Sequence, residues 1–217
     1  MDNDAAQPGP DDFDGTPAPG PGAGPAADVE TDADQDAAIE AYWAVARKRT
    51  GINRLDVVVG QAPLSNVVPP AWAFGGTPEE ADDLLALVLA GQKTATTSAR
   101  WEYDAEDVPL PALGDLSIIL DGQGRPQALI STTAVEVVPF GEVGEEHAAA
   151  EGEGDGSLET WRRAHEAYFR EHRAEHEVTP DMPVVLERFT LLYPRVNRAG
   201  GPVAGDGTET SSAGGAE

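Results

Sequence analysis

Hydrophobic residues recur every three to four positions in three stretches of the chain, which is the spacing of an amphipathic helix. The first stretch covers residues 37–49. The second begins at Thr77, where a Pro and two Glu residues follow in the order of a capping box, and it ends before Gly91. The third covers residues 158–174 and follows Ser157, a favourable N-cap residue. The pattern predicts a helix in each stretch.

Four other stretches are rich in β-branched residues or alternate between apolar and polar residues, as strands do. They are residues 93–98, 116–120, 127–140 and 184–193. The order of the elements along the chain is helix, helix, three strands, helix and strand, with hairpin-type links. This order predicts an α+β fold with a small mixed or barrel-like sheet.

Charge and composition divide the chain into a folded unit and two tails. The protein has 217 residues, with 14 Lys and Arg against 39 Asp and Glu, and a net charge of −25. Residues 1–38 hold ten acidic residues and no basic residue, and the end of the chain is rich in Gly, Ser and Ala. Such segments bury too little apolar surface to fold. We therefore expect disordered tails at 1–35 and 199–217 and a single domain at 36–198.

The composition excludes several classes of protein. An acidic chain is not built to hold phosphates with Lys and Arg, so DNA is not an expected partner and an anionic membrane is disfavoured. The chain has no Cys, and so no disulfide, thiolate zinc site or Cys nucleophile. Its longest apolar run, residues 84–90, is far shorter than the roughly 20 residues that cross a bilayer. The N-terminus shows no secretory signal pattern, and we expect a soluble cytoplasmic protein.

Four segments carry the residues with candidate chemistry. They are the GQKTAT turn at 91–96, the acidic EGEGD loop at 151–155, the helix that contains Trp161 and the ERF strand at 187–189. Together these segments resemble the ASCH domain, the activating-signal-cointegrator homology family, over nearly all of residues 72–194. The resemblance implies a PUA-like small β-barrel, similar to that of RNA-modification enzymes, with a mixed and mostly antiparallel sheet flanked by helices.

The GQKTAT turn suggests nucleophilic catalysis, because a Thr hydroxyl attacks a carbonyl carbon only when a base takes its proton. A Lys whose pKa is lowered by burial is such a base, and Lys93 is one of only two lysines in the chain. Some small members of the resembled family are amidohydrolases that deacetylate N4-acetylcytidine with a Thr, Lys and Glu triad. By motif, the resemblance implies Lys93 as base, Thr96 as nucleophile and Glu151 as the group that orients the amine or shuttles a proton. Residues three apart face opposite sides of a regular strand, so Lys93 and Thr96 can meet only at a bend.

Five further residues are candidates for ligand binding. Trp72 and Phe74 could stack on a base, or could plug one end of a barrel. Asp155 could line a pocket, or could favour the start of the next helix through the helix dipole. Arg100 and Arg162 could form part of a local patch for RNA if they converge on one face. The sequence leaves these alternatives open.

No metal and no other cofactor is expected. The EGEGD carboxylates resemble the start of a calcium-binding loop, but Arg162 stands where the bidentate Glu of that loop belongs. The H-x-x-E-H pattern at 172–176 matches that of inverted zincins, but the chain after it offers no helix to supply a third ligand.

Two functions remain. The first is a pocket for a modified nucleoside or an RNA base, in its specific form an amidohydrolase that uses Lys93, Thr96 and Glu151. The second is a non-catalytic RNA-binding domain or a ribonuclease of the ASCH and PUA-like superfamily. Residues 39–194 carry 12 basic and 26 acidic residues, so the domain repels a polyphosphate and the small nucleoside is favoured. The sequence leaves open whether the protein is an enzyme at all.

Overall fold

The computed structural model describes residues 33–52, 67–172 and 177–195 of the chain. Most of the two predicted tails lies outside these ranges, as does most of the H-x-x-E-H segment. The first helix begins at Ala33, slightly before the predicted domain boundary at residue 36. None of the helices within the described ranges is long and apolar enough to cross a bilayer.

The described residues contain five α-helices, three of which are the predicted ones. They are α1 (Ala33–Thr50), α2 (Pro78–Leu89), α3 (Arg100–Glu106), α4 (Glu145–Glu151) and α5 (Leu158–His172). The predicted capping box of α2 is confirmed: the Glu80 N–H donates to Thr77 Oγ1, and the Thr77 N–H donates to the Glu80 carboxylate, both at 3.2 Å. Sequence analysis does not predict α3 and α4, because seven residues are too few to show a helical period.

Five strands form one sheet in the order β1-β3-β4-β5-β2. They are β1 (Ala71–Trp72), β2 (Ala95–Ala99), β3 (Leu116–Leu120), β4 (Pro126–Pro139) and β5 (Pro183–Tyr193). Only the β1–β3 pair is parallel, so the predicted α+β class and mostly antiparallel sheet are confirmed. The long strand β4 changes register at two positions along β5, which bends it. The sheet stays open in the described part of the chain, with β1 and β2 at its edges, and does not close into a full barrel.

The register between β2 and β5 decides what each side chain of β2 faces. Thr96 lies opposite Glu187, and Thr97 lies opposite Leu186. Successive side chains of a strand point to opposite faces, so Thr96 and Thr97 lie on different faces of the sheet. The face that carries Thr96 and Glu187 continues along β5 to Phe189.

Each face of the β2–β5 pair packs against a different helix. Phe189 belongs to a core cluster with Leu85 of α2. On the other face, Leu186 belongs to a cluster with Trp161 and Phe169 of α5. The start of β2 therefore lies between α2 and α5, where the chain can present side chains to the space between the two helices.

Candidate functional site

Lys93 lies in the turn that joins α2 to β2. The N–H groups of Gln92 and Lys93 both donate to the carbonyl of Leu87, at 2.9 and 3.1 Å, which closes the end of α2. Gly91 has a φ of 71°, the left-handed conformation expected where a helix ends. Because β2 begins only at Ala95, the alternation of a strand does not restrict Lys93. The chain thus contains the bend that the predicted site requires.

The acidic loop after α4 lies directly against this turn. The Thr94 N–H donates to the carbonyl of Ala150 at 2.7 Å, which ties the end of α4 to the start of β2. Gly152 has a φ of 68°, and a Cβ at this position would lie 2.6 Å from the carbonyl oxygen of Gln92. Glycine alone meets both conditions. This close approach brings the two glutamates that flank Gly152 to the turn.

The Lys93 ammonium is buried between two carboxylates. Its Nζ lies 3.0 Å from Oε2 of Glu151 and 2.6 Å from Oε1 of Glu153, and its side chain is 1% exposed. Nζ also lies 5.3 Å from the centre of the Phe74 ring. Burial by itself would lower the pKa of Lys93, but the charges of Glu151 and Glu153 outweigh it and hold the pKa above its usual value. This shift is opposite to the one that a lysine base needs, and Lys93 is a buried cation.

Glu151 is the centre of the polar network. Its Oε1 accepts hydrogen bonds from Thr97 Oγ1 and Trp161 Nε1, both at 2.7 Å, while its Oε2 accepts one from Lys93. Burial alone would raise the pKa of Glu151, but the charge of Lys93 and the interactions with His165 and His147 lower it well below its usual value. A carboxylate stabilised by this many donors is a strong anchor and a weak proton acceptor.

Two histidines fix the residues around Glu151. His147 Nε2 lies 2.9 Å from Thr97 Oγ1, whose own proton is donated to Glu151. Nε2 must therefore donate to Thr97, so His147 carries a proton on Nε2. His165 stacks on the ring of Trp161 with centroids 4.3 Å apart, and its Nδ1 donates to the Trp161 carbonyl at 3.0 Å.

These groups lie at a cavity of about 370 Å³ between α2 and α5. Apolar and aromatic side chains form part of its lining, among them Phe74, Leu87 and Tyr168. Thr96 and Thr97 both reach the cavity, although they lie on different faces of the sheet.

The charges in the lining are unequal. Glu80, Asp83, Glu151 and Glu153 contribute carboxylates, while Lys93 is the one Lys or Arg among the lining residues. The cavity is therefore negative overall, and it disfavours a ligand that carries a phosphate at this position.

Four of the predicted site residues meet at this cavity: Lys93, Thr96, Glu151 and Phe74. Lys93 and Glu151 are in direct contact. Thr96 is 8% exposed, and the threonine that contacts Glu151 is its neighbour Thr97.

Two of the other predicted ligand-binding residues lie in the core or on the surface. Trp72 is buried, and its ring meets that of Phe74 edge to face at 4.7 Å. Arg100 pairs with Asp104, one helical turn away, at 3.1 Å. Neither residue lines the cavity.

The remaining two predicted residues support local structure. Asp155 accepts hydrogen bonds from the Ser157 hydroxyl and N–H just before α5, and these bonds lower the pKa of Asp155 to about 2. Arg162 donates to the carbonyls of Gly141 and Val143, at 2.8 and 3.4 Å. Both side chains lie outside the lining of the cavity.

Thr97, His147 and His165 are not among the site residues predicted from the sequence. One signal was present: His147 precedes Glu151 by four positions, and Trp161 precedes His165 by four. Side chains four apart share one face of a helix, so both pairs can point to one site.

Comparisons with known proteins agree with this fold. The family model described as the ASCH domain matches residues 70–193. The crystal structure of an ASCH domain from Lactobacillus crispatus JV V101 is similar, with 29% identity and a TM-score of 0.55, over 67% of this chain and 94% of that one. The crystal structure of a protein from Enterococcus faecalis V583 is also similar, with 35% identity and a TM-score of 0.56, over 69% and 91%. No protein of curated function matches the sequence.

Proposed function

The chain belongs to the ASCH domain family, and we propose that its cavity binds the base of a modified nucleoside and hydrolyses an N-acyl bond on that base. The observation that carries this proposal is a buried lysine cation beside two threonine hydroxyls in one cavity. Such an array offers a nucleophile and a positive charge at the same place, which is what acyl transfer requires.

The size and lining of the cavity suit a nucleobase. A volume of about 370 Å³ is at the lower end of the roughly 300–1,000 Å³ that small-molecule sites occupy. Phe74 and Tyr168 supply aromatic surface, and Lys93, Thr96 and Thr97 supply polar groups to the same lining. A flat ring with a polar edge can contact both kinds of lining residue.

In the proposed reaction the Thr96 hydroxyl attacks the acyl carbon. A bond forms between Thr96 Oγ1 and that carbon, and the carbon–nitrogen bond breaks. The amine of the nucleobase then leaves with a proton. Water then releases the acid from the threonine ester. Two observations support this role for Thr96: it lines the cavity, and the threonine that donates to Glu151 is Thr97.

Lys93 serves this reaction as a cation. Two carboxylates hold it charged, so we assign it the stabilisation of the developing oxyanion in place of the base role that the sequence suggests. Glu151 positions the ammonium, and Thr97, His147 and Trp161 in turn position Glu151.

The negative lining favours a free nucleoside over RNA. A phosphate backbone at the cavity would meet the carboxylates of Glu80 and Asp83, whereas a neutral nucleoside would not be repelled. The arginines that were candidates for an RNA patch are engaged elsewhere: Arg100 with Asp104 and Arg162 with two carbonyls. The RNA-binding and ribonuclease alternatives therefore have less support.

The test is release of acetate and cytidine from N4-acetylcytidine by the purified protein. Thr96→Val should reduce turnover by at least about 100-fold, because the nucleophile is lost. Lys93→Met should reduce it by about 100- to 1,000-fold, the usual cost of losing one oxyanion contact. Thr133→Val, at an exposed threonine of β4, is the matched control and should leave turnover unchanged.

Two results would contradict the proposal. One is a wild-type protein that neither hydrolyses N4-acetylcytidine nor binds it in equilibrium dialysis. The other is a tight complex with RNA whose affinity falls steeply with salt, which would indicate phosphate contacts.

A further inference from the structure

A second buried glutamate lies on the sheet face opposite to that of Thr97. Glu187 of β5 is 5% exposed and stands directly across the antiparallel pair from Thr96. Opposite residues of such a pair have Cβ atoms about 4.5–5.5 Å apart on the same face. A glutamate side chain is long enough to cover that distance when it rotates, whereas in this structure the Glu187 carboxyl is turned to Thr132.

The surroundings of Glu187 are unusual for a buried acid. Its Oε1 accepts a hydrogen bond from Thr132 Oγ1 of β4 at 2.6 Å. Within the described part of the chain, no Lys, Arg or His side chain forms an ion pair with it. Burying a carboxyl without a cation is costly, and a glutamine would meet the same hydrogen bond at lower cost.

Burial raises the pKa of Glu187. The hydrogen bond from Thr132 works against this effect, and the negative charge of Asp115 adds to it. A carboxyl with a raised pKa is a better proton acceptor than an ordinary glutamate once it is ionised.

Glu187 is not one of the residues that line the cavity, but the acidic groups that do line it are less suited to take a proton from Thr96. Glu151 is stabilised as an anion by three donors, and Glu153 is paired with Lys93 at 2.6 Å. Glu80 accepts hydrogen bonds from the backbone at the start of α2, and Asp83 belongs to α2 and not to the strand that lies across from Thr96. Lys93 is already protonated. Only Glu187 combines a position across from Thr96 with a lack of stabilising cations.

We propose that Glu187 is a catalytic residue that accepts the Thr96 hydroxyl proton as the bond from Oγ1 to the acyl carbon forms. The same carboxyl gives that proton to the leaving nitrogen as the carbon–nitrogen bond breaks. In the second half of the reaction it takes a proton from the attacking water and returns it to Thr96 Oγ1. Two carboxyl groups whose surroundings separate their pKa values are a recurring basis for such a division of roles.

This inference rests on the proposed function only through the identity of the nucleophile, so a substrate-independent test is available. Acylation of Thr96 by p-nitrophenyl acetate needs the hydroxyl and its base but not the natural substrate. The readout is the initial release of p-nitrophenolate together with mass spectrometry of the peptide that contains Thr96.

Wild-type protein should show an acylation burst that Thr96→Val lacks. Glu187→Gln should slow the burst by about 100- to 10,000-fold, the usual contribution of a general base. Glu187→Asp retains a carboxyl on a side chain that is one methylene shorter. Its burst rate should lie between those of the wild type and Glu187→Gln. The matched control is Glu136→Gln, an exposed glutamate on β4, which should acylate at the wild-type rate.

The outcomes separate the two proposals. An unchanged burst in Glu187→Gln overturns the role of Glu187, whatever the natural substrate is. A burst that depends on both Thr96 and Glu187, in a protein that leaves N4-acetylcytidine intact, supports Glu187 and overturns the proposed substrate. If wild-type Thr96 is not acylated at all, both proposals are wrong.

Discussion

One buried glutamate lies on each side of the β2–β5 pair, Glu151 at the end of α4 and Glu187 in β5, and their surroundings differ. Glu151, on the side of α5, is within hydrogen-bond distance of Lys93, Thr97 and Trp161, and its pKa is lowered. Glu187, on the other face, accepts one side-chain hydrogen bond, and its pKa is raised. Both residues are buried glutamates, and Glu151, the more deeply buried of the two, is the one whose pKa is lowered. The neighbours therefore decide whether a carboxyl anchors a structure or remains able to exchange a proton.

The largest expected effect comes from removing the cation on the Glu151 side. Lys93→Met keeps an unbranched side chain of similar length but leaves the Glu151 carboxylate buried without its partner. Breaking a buried pair in this way costs about 3–5 kcal/mol. We expect a loss of that size in the free energy of unfolding, measured with urea near neutral pH.

A double variant tests whether the uncompensated charge is the cause. Adding Glu151→Gln to Lys93→Met should restore much of the lost stability, because no buried charge then lacks its partner. Arg100→Met, which breaks an exposed pair with Asp104, is the matched control and should cost less than about 1 kcal/mol. Equal losses in Lys93→Met and Arg100→Met would contradict the anchoring role.

The next effect concerns the backbone that brings Glu151 to Lys93. Gly152→Ala places a Cβ 2.6 Å from the Gln92 carbonyl oxygen in a residue with a φ of 68°. The strain should cost about 1–3 kcal/mol and shift the acidic loop away from the turn. Gly144→Ala is the control, because a Cβ there has no atom within 4 Å and the φ is −94°. Similar melting temperatures for the two variants would show that the close approach is not needed.

The pH dependence of stability should differ in sign between the two glutamates. The lowered pKa of Glu151 means that its ionised form stabilises the fold; this contribution is present above the unfolded pKa of about 4.3 and is lost as the pH falls. The raised pKa of Glu187 means that its protonated form is favoured by the fold; that contribution is complete below about pH 4.3 and is lost as the pH rises through its folded pKa.

Urea unfolding of wild type, Glu151→Gln and Glu187→Gln across this range measures the difference. The cost of Glu151→Gln should shrink toward acid, whereas Glu187→Gln should gain on the wild type as the pH rises. Each unit of pKa shift corresponds to about 1.36 kcal/mol. Parallel curves for the two variants would mean that the two carboxyls have equivalent surroundings.

Much of the fold could be predicted from the sequence, because the signals are local. The helical period, the capping box at Thr77 and the alternation in β5 each span fewer than about 20 residues and need no tertiary information. The helices α3 and α4 are too short to show a period and were not predicted, and Glu151 at the end of α4 was singled out only through the resemblance to a family.

The sequence allowed the charged residues of the site to be predicted, but not which side chains face one another. The motifs brought Lys93 and Glu151 together, and the structure places them in contact. The register between β2 and β5, about 90 positions apart in the sequence, decides which threonine faces Glu151. The same register places Thr96 across from Glu187. A one-residue change in that register would exchange the two faces, and no local pattern in a run of threonines specifies it.

The smallest expected effect compares the two threonines that donate to the two glutamates. Thr97→Val removes a donor from Glu151, which stays ionised because Lys93 remains beside it, so the lost charge-assisted bond should cost about 1.5–3 kcal/mol. Thr132→Val removes the donor of Glu187, but that carboxyl can take up a proton, which limits the cost to about 0.5–1.5 kcal/mol. The difference, about 1 kcal/mol near neutral pH, should widen as the pH falls toward about 5, because protonation of Glu187 becomes easier while Glu151 stays charged. Equal costs for the two variants at both pH values would show that Glu187 is held as an anion just as Glu151 is, and the contrast between the two faces would be lost.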